Sequence, residues 1–159
     1  MDSNLTIRRA TLADATAIAA VLRGVGWFDH INDEAPEATA RRVVEQLALC
    51  ADVRQHTILV AADAEGEVVG YIATHWFPNL MKGMDGYVSE LCLWEVVRGK
   101  GIGAALVDAI QREGRRLGAK RLMLFNRRER ESFQRGFYPK HGWTLREDVG
   151  FFMRDLDDD

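Results

Sequence analysis

The sequence predicts an α/β (α+β) fold: one domain built on a mixed, mostly antiparallel sheet with helices around it. Three observations carry this. Two β-branched runs, HTILVAA and EVVGYIATHW, are joined by the turn signal DAEG, and a third run, YVSELCLW, follows, so three consecutive strands pair antiparallel. A long apolar-periodic segment, IGAALVDAIQREGRRLG, separates YVSELCLW from the next strand, KRLMLFN. A helix between two strands of one sheet makes them parallel, with a right-handed crossover. The 159 residues, 47% hydrophobic and 28% charged, are enough for one ordinary core. The domain is expected to span 1–159, with 155–159 as a flexible tail.

The elements follow in order. LTIRRA alternates apolar and polar residues as a first strand. TLADATAIAAVLRGV is a first helix, because Thr11 and Asp14 have capping-box spacing ahead of apolar residues at helical intervals, and Gly24 and Gly26 end it. GWFDHINDEA reads as a loop. Pro36 suits the first turn of a second helix running through ATARRVVEQLALCA. After the three strands, Ile102, Leu106, Ala109, Ile110 and Leu117 line one face of a helix that stops at Gly118. KRLMLFN, a short helix around SFQRGFY, a KHGW turn, and terminal strands near WTLRE and FFMRDL complete the chain.

Composition excludes several function classes. A formal net charge of −3 gives no basic face for nucleic acid, and the densest charge run, RRERE, alternates in sign. No apolar run approaches the ~18 residues that span a bilayer, so no membrane partner is expected. The opening MDSNLTIRR carries no signal pattern, which predicts a cytoplasmic, reduced protein. The histidines at 30, 56, 75 and 141 form no ligand-spaced pair with one another or with Cys50 and Cys92, so no metal is expected.

The most informative stretch is RGKGIG, residues 98–103. A P-loop would need Gly where Trp94 stands and Ser or Thr where Gly101 stands. GKGIGA satisfies the bare dinucleotide pattern, but four residues separate it from the preceding strand, and the next strand ends in Asn126 rather than an acid. Physically, bare positions at 99, 101 and 103 let a ligand approach the backbone, and the first amides of the following helix suit a diphosphate. Arg98 and Lys100 would add charge. Taken alone, the hexapeptide is also what a glycine-rich helix start without a ligand looks like.

Residues 93–106, LWEVVRGKGIGAAL, resemble the acyl-CoA-binding motif of the GNAT (Gcn5-related) N-acetyltransferases, R/Q-x-x-G-x-G/A, matched by Arg98, Gly101 and Gly103. GFYPKHGW resembles the FYxKxGF segment of that family, with Trp143 in place of Phe. The order of strands and helices is also similar from LTIRRAT to FFMRDL. The resemblance implies a GNAT-like sheet with parallel, splayed central strands and acetyl-CoA as cosubstrate between the fourth and fifth. It implies that backbone groups of Leu91, Cys92 and Leu93 pair with the pantetheine arm. Gly99, Lys100, Gly101, Ile102, Gly103 and Ala104, with Arg98, would hold the diphosphate. It further implies direct transfer to an amine in a ternary complex, and it allows a homodimer that no sequence feature fixes.

Acyl transfer to an amine needs a neutral nucleophile, a stabilised oxyanion and a proton for the departing thiolate. An amine of lysine-like pKa is only about 0.04% neutral at pH 7, so a base or a water path must take its proton. Glu90 is the candidate base: strand alternation puts it on one face with Val88 and Cys92, and apolar neighbours would raise its pKa. Tyr138, at the tyrosine position of GFYPKHGW, is the candidate acid by resemblance. Many relatives carry Asn where this chain has Glu131, and Asn126 is the candidate to supply that amide. Cys92 as an acyl carrier, and His75 or His141 as relays, are the less favoured readings. By resemblance the acceptor meets GWFDHINDEAPE and FPNLMKGMDG. Asp29, Asp33, Glu34 and Glu37 beside Trp27 and Phe28 would suit a cationic amine. The alternative function is a non-catalytic acyl-CoA-binding sensor or interaction module.

Overall fold

The computed structural model describes residues 5–157. They form two compact units, one ending at Phe125 and one beginning at Asn126.

The first unit opens with β1 (Thr6–Arg9), a single 3-10 turn (Leu12–Asp14) and α1 (Ala15–Gly24). The predicted capping box is present. The buried Asp14 carboxylate accepts from the Thr11 backbone N–H at 2.8 Å and from both Arg8 guanidinium nitrogens at 2.8 Å. The Arg8 hydrogen bonds hold its pKa down to about 2. A short helix, α2 (Asp29–Asp33), occupies part of the segment read as a loop, and α3 (Pro36–Leu49) begins at its proline as expected. Then come β2 (His56–Ala62), β3 (Val68–Asn79), β4 (Gly83–Leu93), α4 (Ile102–Leu117) and β5 (Arg121–Leu124).

The strands form one sheet in the order β1-β2-β3-β4-β5, antiparallel except for the parallel pair β4 and β5. Both predicted relationships, three sequential antiparallel strands and a parallel pair across α4, are found. Val60, Tyr71 and Cys92 on one sheet face pack with Ile18, Val21, Leu22 and Ile31 from α1 and α2. The opposite face meets α4, whose Leu106, Val107 and Ile110 are fully buried. Trp76 lies on that face and donates from its indole nitrogen to Thr57 Oγ1 at 2.9 Å.

The segment FPNLMKGMDG is less of a loop than expected, because β3 runs to Asn79 and β4 starts at Gly83, leaving a tight hairpin turn. Asp85 shows why the chain stays extended there. Its fully buried carboxylate accepts from Asn79 Nδ2 at 2.6 Å and from Arg121 at 2.9 and 3.1 Å, tying the hairpin to the start of β5. Burial pushes its pKa up, but those hydrogen bonds outweigh it and the net shift is downward.

The second unit contains α5 (Glu131–Gln134) and α6 (Phe137–Lys140), followed by a turn in which the His141 and Trp143 N–H groups return to Tyr138 C=O at 2.9 and 3.1 Å. The terminal strands expected near WTLRE and FFMRDL do not form. A strand must pair its backbone with a neighbour, and no described residue beyond β5 belongs to a strand. Phe151, Phe152 and Met153 are instead exposed. Residues 158–159 of the expected tail lie outside the described residues.

Candidate functional site

The site is built where β4 and β5 part. The parallel pair runs from Asp85 opposite Arg121 to Val88 opposite Leu124, where β5 ends, while β4 continues to Leu93. Among the described residues, 90–93 therefore pair only with β3, and the alternate amides and carbonyls facing the other way require another partner. Leu91, Cys92 and Leu93, the predicted pantetheine contacts, lie in this stretch. The Cys92 side chain is buried with Tyr71 in the apolar cluster under α1, which is unfavourable for an acyl-carrying nucleophile.

Beyond β4 the chain makes a 3-10 turn (Glu95–Val97) and enters the glycine loop. Gly99 and Gly101 have φ of +77° and +84°, a left-handed conformation that a side chain would strain, and open space surrounds both positions. Gly101 caps α4, and the helical ladder starts with Ala105 N–H to Gly101 C=O at 3.0 Å. The amides of Ile102, Gly103 and Ala104 precede that first bond, so they point out of the positive end of a helix. Arg98 donates to Leu93 C=O at 3.4 Å and lies 5.6 Å over the Trp27 ring, drawing the loop back onto the end of β4. Lys100 is exposed. An open glycine turn, outward amides and two cations fit a diphosphate, and the one-sided edge of β4 fits an amide-bearing arm.

Glu90 sits at the point of parting. The β3–β4 register passes from Ala73 opposite Glu90 to Thr74 opposite Val88, so Ser89 is an extra residue, a β-bulge. The bulge corrects the expected alternation. Glu90 shares a face with Cys92, but Val88 is turned to the opposite face. Glu90 is accessible to solvent, yet the protein around it desolvates the carboxyl and raises its pKa, while a hydrogen bond from the Tyr71 hydroxyl acts in the other direction. Such a combination describes a carboxylate in an open groove. Tyr87 and Cys50 also feel its charge, which adds to burial in raising their pKa values. Tyr71 was not singled out in the sequence, although its register opposite Cys92 follows from the hairpin.

In the acidic loop, Glu34 is occupied: it accepts from Arg42 at 2.8 Å and from the Thr39 hydroxyl at 2.6 Å, and Arg42 above all holds its pKa at about 2. Arg23 adds bonds to the Glu34 and Ile31 carbonyls at 2.9 and 2.6 Å. Glu34 is thus a brace between α2 and α3. A groove of about 460 Å³ is lined by Thr16, Ala20, Arg23, Asn32, Ala40 and Trp94 among others.

Tyr138 and Asn126 belong to the second unit. The half-buried Tyr138 packs its ring 5.0 Å from Phe137 and 5.7 Å from Trp143, and Asn126 Oδ1 accepts from Ser132 Oγ at 3.1 Å. Glu131, at the position where many relatives have Asn, starts α5. The structure also brings together Cys50, His56 and His75, which linear spacing had kept apart.

Comparison with known proteins identifies the family and the fold. Residues 25–143 match the Acetyltransferase (GNAT) family. The L-methionine sulfoximine/L-methionine sulfone acetyltransferase of Pseudomonas paraeruginosa is 37% identical over 117 residues, 71% of this chain and 65% of that protein. The match thus spans less than two thirds of that relative's length. Among solved structures, a transcriptional regulator from Bacillus halodurans C-125 has a TM-score of 0.81 at 22% identity, covering 95% of this chain and 99% of the other. Glucosamine-6-phosphate N-acetyltransferase from Arabidopsis thaliana has a TM-score of 0.73 at 17% identity, covering 96% and 100%. These two establish a shared fold. With the match running from the end of α1 through the glycine loop to Trp143, the chain belongs to the GNAT family of acetyltransferases.

Proposed function

We propose that this chain transfers an acetyl group from acetyl-CoA to the amine of a small, amino-acid-like molecule, by direct attack in a ternary complex. The observation that carries the reading is the coincidence, at the end of β4, of a one-sided strand edge, an outward-facing helix N-terminus behind a glycine turn, and Glu90. Acetyl-CoA supplies the activated acyl group. Backbone groups of Leu91, Cys92 and Leu93 hold its arm, and the amides following Gly99 and Gly101, with Arg98 and Lys100, hold its diphosphate. Glu90, its pKa raised, accepts the proton that leaves the attacking amine. Tyr138 gives a proton to the departing thiolate, and Asn126 contributes an amide to the cosubstrate. The family match crosses the boundary between the two units, which supports their acting as one domain.

The substrate class follows the relative's name, which specifies methionine sulfoximine and methionine sulfone. The α-ammonium of such a molecule agrees with the remaining carboxylates Asp29, Asp33 and Glu37. No described helix is long and apolar enough to cross a membrane, and we assign the reaction to the cytoplasm. The test is thiol release from acetyl-CoA with L-methionine sulfoximine, L-methionine sulfone, an aminoglycoside and a peptide amine. Turnover of an amino-acid analogue is expected. Binding of acetyl-CoA with no acceptor turned over would instead favour a sensor. Sedimentation with and without acetyl-CoA reads the oligomeric state.

A further inference from the structure

Outside the acyl-transfer groups, the structure gathers three metal-ligating side chains from three elements. Cys50 is the residue on which α3 ends, His56 opens β2, and His75 lies directly opposite His56 across the β2–β3 ladder. One donor atom from each lies within 4.8 Å of the other two, and all three residues are half-buried. The two imidazoles face each other through their Nδ1 atoms at 2.9 Å, with ring centroids 5.2 Å apart.

Hydrogen bonding shows how these rings are oriented. The Ser89 hydroxyl reaches the Ala73 carbonyl at 3.4 Å, which can only accept, and His75 Nε2 at 2.8 Å. In the tautomer in which Ser89 donates to the carbonyl and accepts from His75 Nε2–H, His75 Nδ1 presents a bare lone pair toward His56 and Cys50. Fixing one ring nitrogen through a hydrogen bond so that the other is free to ligate is the arrangement found around protein-bound metals. Ser89 is the bulged residue of β4, two positions after Tyr87, the residue opposite His75.

From this geometry we infer that Cys50, His56 and His75 form a binding site for a zinc-type divalent cation. One thiolate and two neutral imidazoles are a borderline-soft donor set that suits zinc and excludes magnesium and calcium, which take oxygen ligands. With bonds of about 2.0 Å to nitrogen and 2.3 Å to sulfur, tetrahedral ligands stand roughly 3.3 to 3.6 Å apart. The imidazole nitrogens must open by roughly 0.4 Å and the widest pair must close by about 1 Å, changes within reach of side-chain rotation. Binding at His56 Nδ1 shifts that ring's proton to Nε2, so both imidazoles stay neutral, and the thiol proton passes to water. The ion would clip the end of α3 to the β2–β3 edge and keep a fourth position for water. The inference does not depend on the acetyltransferase reading, although the charge of Glu90 reaches Cys50.

The test is titration of the metal-free full chain with cobalt(II), a spectroscopic stand-in for zinc. Near-ultraviolet thiolate-to-cobalt absorption and tetrahedral visible bands are expected to saturate at one equivalent and to be erased by zinc. Cys50→Ser should lose the near-ultraviolet band, and His75→Gln should weaken cobalt binding at least about 10-fold. Zinc, but not magnesium, should raise the melting temperature by roughly 5–10 °C at about 100 times Kd. Absence of the thiolate band in the unsubstituted protein overturns the proposal, as does its persistence in Cys50→Ser. The unsubstituted protein is sufficient for the first criterion even where a variant fails to fold.

Discussion

The Tyr71 hydroxyl donates a hydrogen bond to Glu90, a carboxylate whose pKa the surrounding protein drives upward. The two effects oppose one another, and the phenol moderates the shift. A base must be ionised, so the acid limb of the kcat/KM profile should lie above the usual carboxylate range. Replacing Tyr71 by Phe removes the moderating donor and should move that limb to still higher pH. Glu90→Gln should lower the rate by about 100-fold or more at neutral pH and abolish the limb. An unmoved limb in both variants would transfer the role of base to a water path.

Tyr138→Phe keeps the ring contacts with Phe137 and Trp143 and deletes only the hydroxyl. Loss of a general acid should reduce kcat by roughly 10² to 10⁴-fold while the Kd for acetyl-CoA changes little. Rapid quench on the single turnover separates the two. A parallel loss of affinity would mean that the hydroxyl holds the cosubstrate instead.

Gly101→Ala forces a side chain into a left-handed φ of +84° at the cap of α4, with no steric neighbour to complicate the result. The strain is about 1–2 kcal/mol, and it disturbs the amides that the proposed function assigns to the diphosphate. Affinity for CoA, read by calorimetry, should fall by about 10-fold, with a smaller loss for dephosphorylated pantetheine. Equal losses for both ligands would argue against a diphosphate at this loop.

Arg121→Ala leaves the fully buried Asp85 with Asn79 as its remaining side-chain partner. Stranding a buried carboxylate should cost about 2–4 kcal/mol in urea unfolding. Asp85→Asn should cost less, because the partly exposed Arg121 can turn to water. A cost under about 1 kcal/mol for Arg121→Ala would mean that water already serves Asp85.

The sequence was legible where structure is local. The Thr11 to Asp14 spacing, Pro36 at the start of α3 and the glycines around α4 each specify a helix end through bonds made within one turn. The β-branched runs likewise marked β2, β3 and β4. What escaped was register. Ser89 looks like any strand residue until β3 is laid against β4, and the bulge then decides which face Glu90 takes. Cys50, His56 and His75 are similarly separated by intervals that fit no linear metal pattern, and only the pairing of His56 with His75 brings them together. FFMRDL failed for the converse reason, since its apolar residues satisfy strand propensity while its unit offers no strand to pair with.

The parting of β4 from β5 after Val88 has a meaning for solubility as well as for the proposed reaction. A half-paired strand in the middle of a sheet is the kind of surface to which a second extended chain adds, and proteins usually blunt it with charge or cover it. Here Glu90 lies within that stretch and Arg98 just beyond its end, bonded back to Leu93, so charged groups guard the gap. On the proposed reading, an occupied gap is a completed sheet. Amide hydrogens of 90–93 that face away from β3 should then exchange much more slowly with acetyl-CoA present, and the loaded protein should resist aggregation better than the unloaded one.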